Sequence, residues 1–150
     1  MANCNPLNNV TLIGSIARIS APLVNKDGSK KLFITIAVRN NYKNRDGSIG
    51  VQYPQVEAFV PATVAGIGAW ALLEQGTPAL ISAEVRTSSY EKDGVMHYTT
   101  ALSARGFELL ESKSAAQDRK RRKAAWAAAH AAAAAPAPAA APAVTEEAFI

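Results

Sequence analysis

Apolar residues alternate with polar ones along most of the first 110 positions, the period-two signature of strands with one buried face. Between Asn8 and Ile19, residues Val10, Leu12 and Ile16 share one parity, and Gly14 among them is expected to mark a bend or bulge. After a turn at NKDGS (25–29), Leu32, Ile34, Ile36 and Val38 form an apolar face opposite Lys31, Phe33, Thr35 and Arg39. YKNRDGSIG (42–50) is polar and glycine-bearing, so it reads as a long loop. QYPQVEAFV (52–60) then resumes the alternation, with Pro54, Val56, Ala58 and Val60 apolar and Tyr53, Gln55, Glu57 and Phe59 on the other side. From Leu80 to Tyr90, Ile81, Ala83 and Val85 oppose Glu84, Arg86, Ser88 and Tyr90. In both of these strands aromatic rings lie on the charged face.

Between them, residues 61–78 place Val64, Ile67 and Ala71 at helical spacing, with Thr63 as a cap and Gly76 and Pro78 as a stop. A fifth strand follows a hairpin in TSSYEKDGVMHYT (87–99), and Phe107, Leu109 and Leu110 close the core. The hairpin admits two registers. A three-residue KDG loop with a bulge pairs Ser88 with Tyr98 and sets Tyr98 beside Tyr90, whereas a two-residue DG loop pairs Ser89 with Tyr98 and sends that ring to the face of Val85 and Leu102. Tyr90 stays with Glu84, Arg86 and Ser88 in either. The order predicts an all-β fold of five strands, with one short helix between the third and fourth, closing as a small closed or partly open barrel.

After Leu110 the pattern changes. Ser114 and Gln117 have capping-box spacing, and an alanine-rich helix is expected to run toward Pro136. From Ala124 to Ala143 fifteen of twenty positions are alanine, a composition that buries little and reads as a tether. The expected organisation is a domain over 1–110, a basic then Ala/Pro-rich tether over 111–143, and an acidic and apolar tip over 144–150 carrying Glu146, Glu147, Phe149 and Ile150.

Charge and candidate chemistry narrow the function. The net charge of +4 permits a polyanionic partner without requiring one. Cys4 is the sole cysteine, so neither an intrachain disulfide nor a thiolate metal cluster is expected. MANCNPLNN lacks the pattern of a signal peptide and no long apolar run follows, so a soluble, cytoplasmic protein is expected. His97 and His130 are isolated, and no nucleophile elbow, phosphate loop or zinc motif occurs; no enzyme and no cofactor are expected.

Rings interleaved with cations give the stronger signal, because a base offers a π-face whatever its sequence while Arg or Lys meets phosphate. Tyr53, Phe59 and Tyr90, with Arg39, Lys43 and Arg86 nearby, suit such a platform; the competing reading has the rings cover a second hydrophobic layer or a subunit contact. Lys30 and Lys31, just after a turn, read as solubility charges. RKRRK (119–123) reads either as phosphate contacts or as a charged helix surface, and Trp126 beside it as a stacking ring, a merely exposed one or a partner contact.

NPLNNVTLIGSIARI, FITIAVRNNYKNRDG, TPALISAEVRTSSYEKDG and MHYTT resemble the bacterial and phage single-stranded DNA-binding protein family in order and spacing across residues 5–110. The resemblance implies an OB-fold barrel, a homotetramer around which DNA wraps, and base-stacking aromatics. Tyr42, Tyr53 and Tyr90 fall where many members have tryptophan and Phe59 matches a phenylalanine, so smaller rings imply weaker stacking. Trp70, away from those positions, is expected to face the barrel or a partner. The chain departs from the pattern at ISAPLVN after the first strand, at Pro54, and at the tip, where EEAFI stands in place of aspartates followed by Ile-Pro-Phe.

The expected function is to coat single-stranded DNA with little sequence preference, protecting it and recruiting replication, recombination and repair proteins through the tip. The expected DNA-binding residues are Tyr42, Tyr53, Phe59, Tyr90, Tyr98, Arg39, Lys43 and Arg86. Two rivals share the fold: a primosome or assembly adaptor acting through protein contacts, and a single-stranded RNA binder.

Overall fold

A computed structural model describes residues 6 to 133. The chain divides into two compact units, one ending at Ser112 and the other beginning at Lys113. The first is a mostly-β unit of seven strands: β1 (Val10–Ile19), β2 (Leu23–Val24), β3 (Lys30–Arg39), β4 (Val51–Gln52), β5 (Gln55–Val60), β6 (Pro78–Lys92) and β7 (Val95–Leu109). The five long strands match the alternating runs in the sequence. The two-residue strands β2 and β4 carry no periodic signal and pair only with β3.

Hydrogen-bonded neighbours run β1, β6, β7, β5, β3, and β3 pairs back to β1, so the pairings form a closed circuit. β5 and β7 run parallel; the other pairings are antiparallel. Inside the circuit lie Ile16, Leu32, Ile34, Ile36, Val56, Ala58, Val60, Leu73, Ala79, Ile81 and Ala83, all buried. Nine of these are the apolar parities of β3, β5 and β6, joined by Ile16 of β1 and by Leu73 before β6. Burying one such aliphatic side chain contributes about 1.5–3 kcal/mol, which is why the alternation fixes the register.

Gly14 is not the bulge. The register of β1 slips between Ile16 and Arg18, two residues further on. Gly14 lies where β3 crosses closely, and a Cβ there would collide with the Ala37 carbonyl oxygen. Glycine is therefore required for contact between strands rather than for a bend.

The segment between β5 and β6 forms a 3-10 helix over Gly68–Leu72, shorter than the turns expected from Val64 to Ala71 and without a side-chain cap from Thr63. Positive φ at Gly66 and Gly68 prevents a regular helix from starting earlier. Trp70 packs its ring against Phe107 at 5.0 Å, so it belongs to the edge of the core. Lys30 is a structural tie rather than a solubility charge: its ammonium donates to the Val64 carbonyl at 3.2 Å and the Gly66 carbonyl at 2.7 Å.

Beyond Val85, β6 and β7 continue as an exposed two-stranded arm. Asn8 steadies its base, accepting from the Val85 amide and donating to the Val85 carbonyl, both at 2.9 Å. At the tip Lys92 pairs with Val95, leaving a two-residue loop in which Asp93 (φ 54°) and Gly94 (φ 76°) are both left-handed. This is the primed turn whose twist matches the strands. The three-residue loop is thereby ruled out, and Ser89 faces Tyr98.

Two further turns have one design. In each, the first Asn amide donates to the Ser carbonyl and the Asp carboxylate accepts from the Ser amide and hydroxyl: Asn25, Asp27 and Ser29 before β3, and Asn44, Asp46 and Ser48 after it. Those serine hydrogen bonds hold both carboxyls below the ordinary aspartate range.

The second unit contains α1 (Lys113–Ala133). Ser114 falls inside its first turn rather than at the cap. None of its residues from Lys113 to Ala131 is buried, as a sequence without an apolar stripe requires. Among the described residues no helix is long and apolar enough to cross a membrane. The tip residues Glu146, Glu147, Phe149 and Ile150 lie outside the described residues.

Candidate nucleic-acid interface

The outer face of the β unit is built by the parity opposite to the core. Register carries Phe33 of β3 to Glu57 of β5, then to Ser103 of β7 and Glu84 of β6. One step along the strands, Lys31 pairs with Phe59, and Arg86 with Ala101. A shallow depression here is lined by Lys31, Glu57, Phe59, Arg86, Ala101 and Ser103. Phe59 is 60% exposed, although it stands on a strand whose alternate residues are fully buried. That contrast marks a ring held at the surface by its backbone.

Both cations on this face have carboxylate partners. The Lys31 ammonium lies 2.6 Å from Glu57, and it also lies 5.3 Å from the centre of the Phe33 ring. The Arg86 Nε lies 2.6 Å from Glu84, while its side chain remains 70% exposed. Exposed pairs of this kind contribute about 0–1 kcal/mol, so an incoming phosphate can exchange for the glutamate. The face therefore offers stacking surface with cations held in reserve, rather than strong positive potential.

Further along the arm, Tyr90 is opposite His97 and the rings stack at 5.1 Å with 17° between planes. Tyr90 shares its parity with Arg86, four residues away, or about 13 Å along the strand. Tyr98 does not join them. The two-residue turn puts it on the other face of the arm, 81% exposed, in line with Val85 and Leu102. Of the two registers that the sequence admits, the hairpin adopts the one that pairs Ser89 with Tyr98.

The other expected residues lie around β4. Tyr42 and Tyr53 are 60% and 64% exposed, the first in the loop after β3 and the second between β4 and β5. Lys43 is exposed in the same loop as Tyr42. Arg39 pairs with Val51 and lines a different depression, with Ile13, Ser15 and Asn41. The structure thus gathers Phe59 and Arg86, continues to Tyr90, and leaves Arg39 apart. Sequence reasoning does not find Lys31 and Phe33 as members of the face. Their shared parity with Arg39 is visible, but only the pairing of β3 with β5 brings them beside Phe59.

No family model matches the chain. A curated relative, single-stranded DNA-binding protein 1 of Streptococcus pyogenes, is 30% identical over 112 residues, covering 71% of this chain and 79% of its own length. The chain belongs to the single-stranded DNA-binding protein family. Single-stranded DNA-binding protein 2 of Streptococcus agalactiae is 29% identical over 109 residues, again covering 71% of this chain and 79% of the relative. Among solved structures, a deletion variant of the single-stranded DNA-binding protein from Thermus aquaticus superposes with a TM-score of 0.54 at 23% identity, covering 71% of this chain and 51% of the other. The Plasmodium falciparum SSB, solved with single-stranded DNA, gives 0.52 at 13% identity, covering 73% and 99%. The mostly-β unit has the fold of these single-stranded DNA-binding proteins, and the share of this chain that is covered stops short of the whole in every case.

Proposed function

We propose that this protein coats single-stranded DNA with little sequence preference, by stacking bases on Phe59, Tyr90, Tyr53 and Tyr42 while Arg86, Lys31 and Lys43 meet phosphates. The observation that carries this reading is the outer face on which exposed Phe59 and the Arg86 guanidinium line one depression. The relatives' names agree with it. The closed circuit of pairings supports an OB-fold barrel, and a face of exposed rings suits a protein that grips bases by their π-faces rather than by their edges. It acts as a binding protein rather than an enzyme. Its residues 144–150 serve to recruit replication, recombination and repair proteins, and its copies assemble as a homotetramer.

Titration of the full chain with fluorescein-labelled oligo(dT), followed by anisotropy, tests the central claim. Saturable binding that weakens with added salt supports it; no binding at low salt leaves the protein-contact adaptor as the better reading. Competition by a matched RNA oligomer reads out the preference between the two nucleic acids. Deleting residues 144–150 is expected to spare DNA affinity while removing capture of partner proteins, and light scattering reports the assembly.

A further inference from the structure

We infer that α1 is a second single-strand-binding element, in which the cations of residues 119–123 hold phosphates and the Trp126 indole stacks on a base. This rests on single-stranded DNA being the ligand of the protein, but it uses none of the residues of the β unit.

Charge density comes first. α1 contains six lysines and arginines against one aspartate, an excess larger than the +4 of the whole chain. Arg119, Lys120, Arg121, Arg122 and Lys123 are consecutive, and each residue turns the helix by about 100°, so the charge encircles the helix instead of forming one stripe. Asp118 lies 3.0 Å from Arg121, an exposed pair three residues apart that does little to offset the run. A plain spacer has no need for such a collar, whose like charges at neighbouring positions repel one another and weaken the helix.

The second observation is the ring. Trp126 follows Arg122 by four residues and Lys123 by three, which places it on the next turn above both. It is 64% exposed in a segment that is otherwise almost all alanine. His130 stacks on it at 3.9 Å with 27° between planes, and a ring nitrogen of His130 is 2.8 Å from the Trp126 carbonyl. One face of the indole is thus held by imidazole, which orients the ring and lowers the entropy cost when a base settles on the other face. A cation collar one turn from an oriented indole is the pairing of phosphate and base contacts that a single strand requires. A membrane surface is a poorer fit, because an interfacial helix needs a broad face of large apolar residues, and α1 offers alanine.

Two full-length variants test this. In W126F the exposed indole is removed, and its emission is obtained as the difference between wild type and variant. Saturating oligo(dT) is expected to quench that difference emission several-fold. In the variant combining R119Q, K120Q, R121Q, R122Q and K123Q, the slope of log K against log salt is expected to fall by about 2 to 3.5, at about 0.7 for each single-strand phosphate that is no longer neutralised. Circular dichroism verifies that both variants keep their helix. Unchanged Trp126 emission together with an unchanged slope overturns the inference while leaving DNA binding by the β unit intact. No anisotropy change with wild type overturns both. Quenching by anionic vesicles but not by oligo(dT) also overturns it, in favour of a lipid surface.

Discussion

The β unit and α1 distribute the same two ingredients in opposite ways. On the outer sheet face Phe33, Phe59 and Tyr90 stand with only Lys31 and Arg86, and both cations are held by glutamates. On α1 the cations are many and the ring is single. The sheet needs a buried core to present its rings, since a strand exposes one parity only by burying the other. The helix, by contrast, has no buried residue from Lys113 to Ala131. A folded surface thus suits contacts that depend on ring placement, and a solvated helix suits contacts that depend on charge.

The largest expected effect breaks the comparison at its root. Ile34 is fully buried in the middle of β3, and Ile34→Ala should cost about 2–5 kcal/mol. Urea unfolding should show the β unit's midpoint collapse while the helical ellipticity from α1 survives. Next comes the face itself: Phe59→Ala with Tyr90→Ala should remove about 1–3 kcal/mol of affinity per ring, seen by oligo(dT) anisotropy. Thermal stability and the salt slope should be nearly unchanged, because both rings are already exposed. Tyr98→Ala, on the opposite face of the arm, should leave affinity for a short oligomer as it was.

Glu84→Gln sharpens the comparison by a smaller amount. Releasing Arg86 from its carboxylate should raise affinity by less than about 1 kcal/mol and steepen the salt slope by at most about 0.7, making the sheet slightly more like the helix. The smallest effect is acid-driven. The folded Asp27 and Asp46 carboxyls lie below the ordinary value of 3.8, so their turns are fully stabilised above that pH and lose the contribution as pH falls through the lowered values. Ser29 and Ser48 amide shifts should report that loss in an acid NMR titration, with DNA binding at neutral pH untouched.

Most of the β unit is legible in the sequence because burial imposes parity: Leu32, Ile34 and Ile36 read directly as a core face, and Phe59 and Tyr90 as rings opposite one. What escapes depends on neighbours distant in sequence. Gly14 resembles a bulge until Ala37 is placed against it, and Lys31 resembles a solubility charge until Glu57 pairs with it across the sheet. Tyr98 is decided by the positive φ of Asp93, since either loop length satisfies the composition of the turn. The helix between β5 and β6 is shorter than its spacing suggests because Val64, Ile67 and Ala71 are interrupted by the left-handed Gly66 and Gly68. On α1 the cations and Trp126 are plain, but the His130 stack that orients the indole is not.

The matching turns on either side of β3 have a practical meaning. Asn25–Ser29 contains a serine that is 3% exposed, while Asn44–Ser48 is open to solvent, yet both adopt the same hydrogen-bonding pattern and the same glycine φ of 82°. Five residues evidently carry their own instructions, whatever surrounds them. Each turn is an interchangeable part: exchanging the two sequences swaps only Lys26 for Arg45, and the same cassette should fold when transplanted between antiparallel strands of another protein.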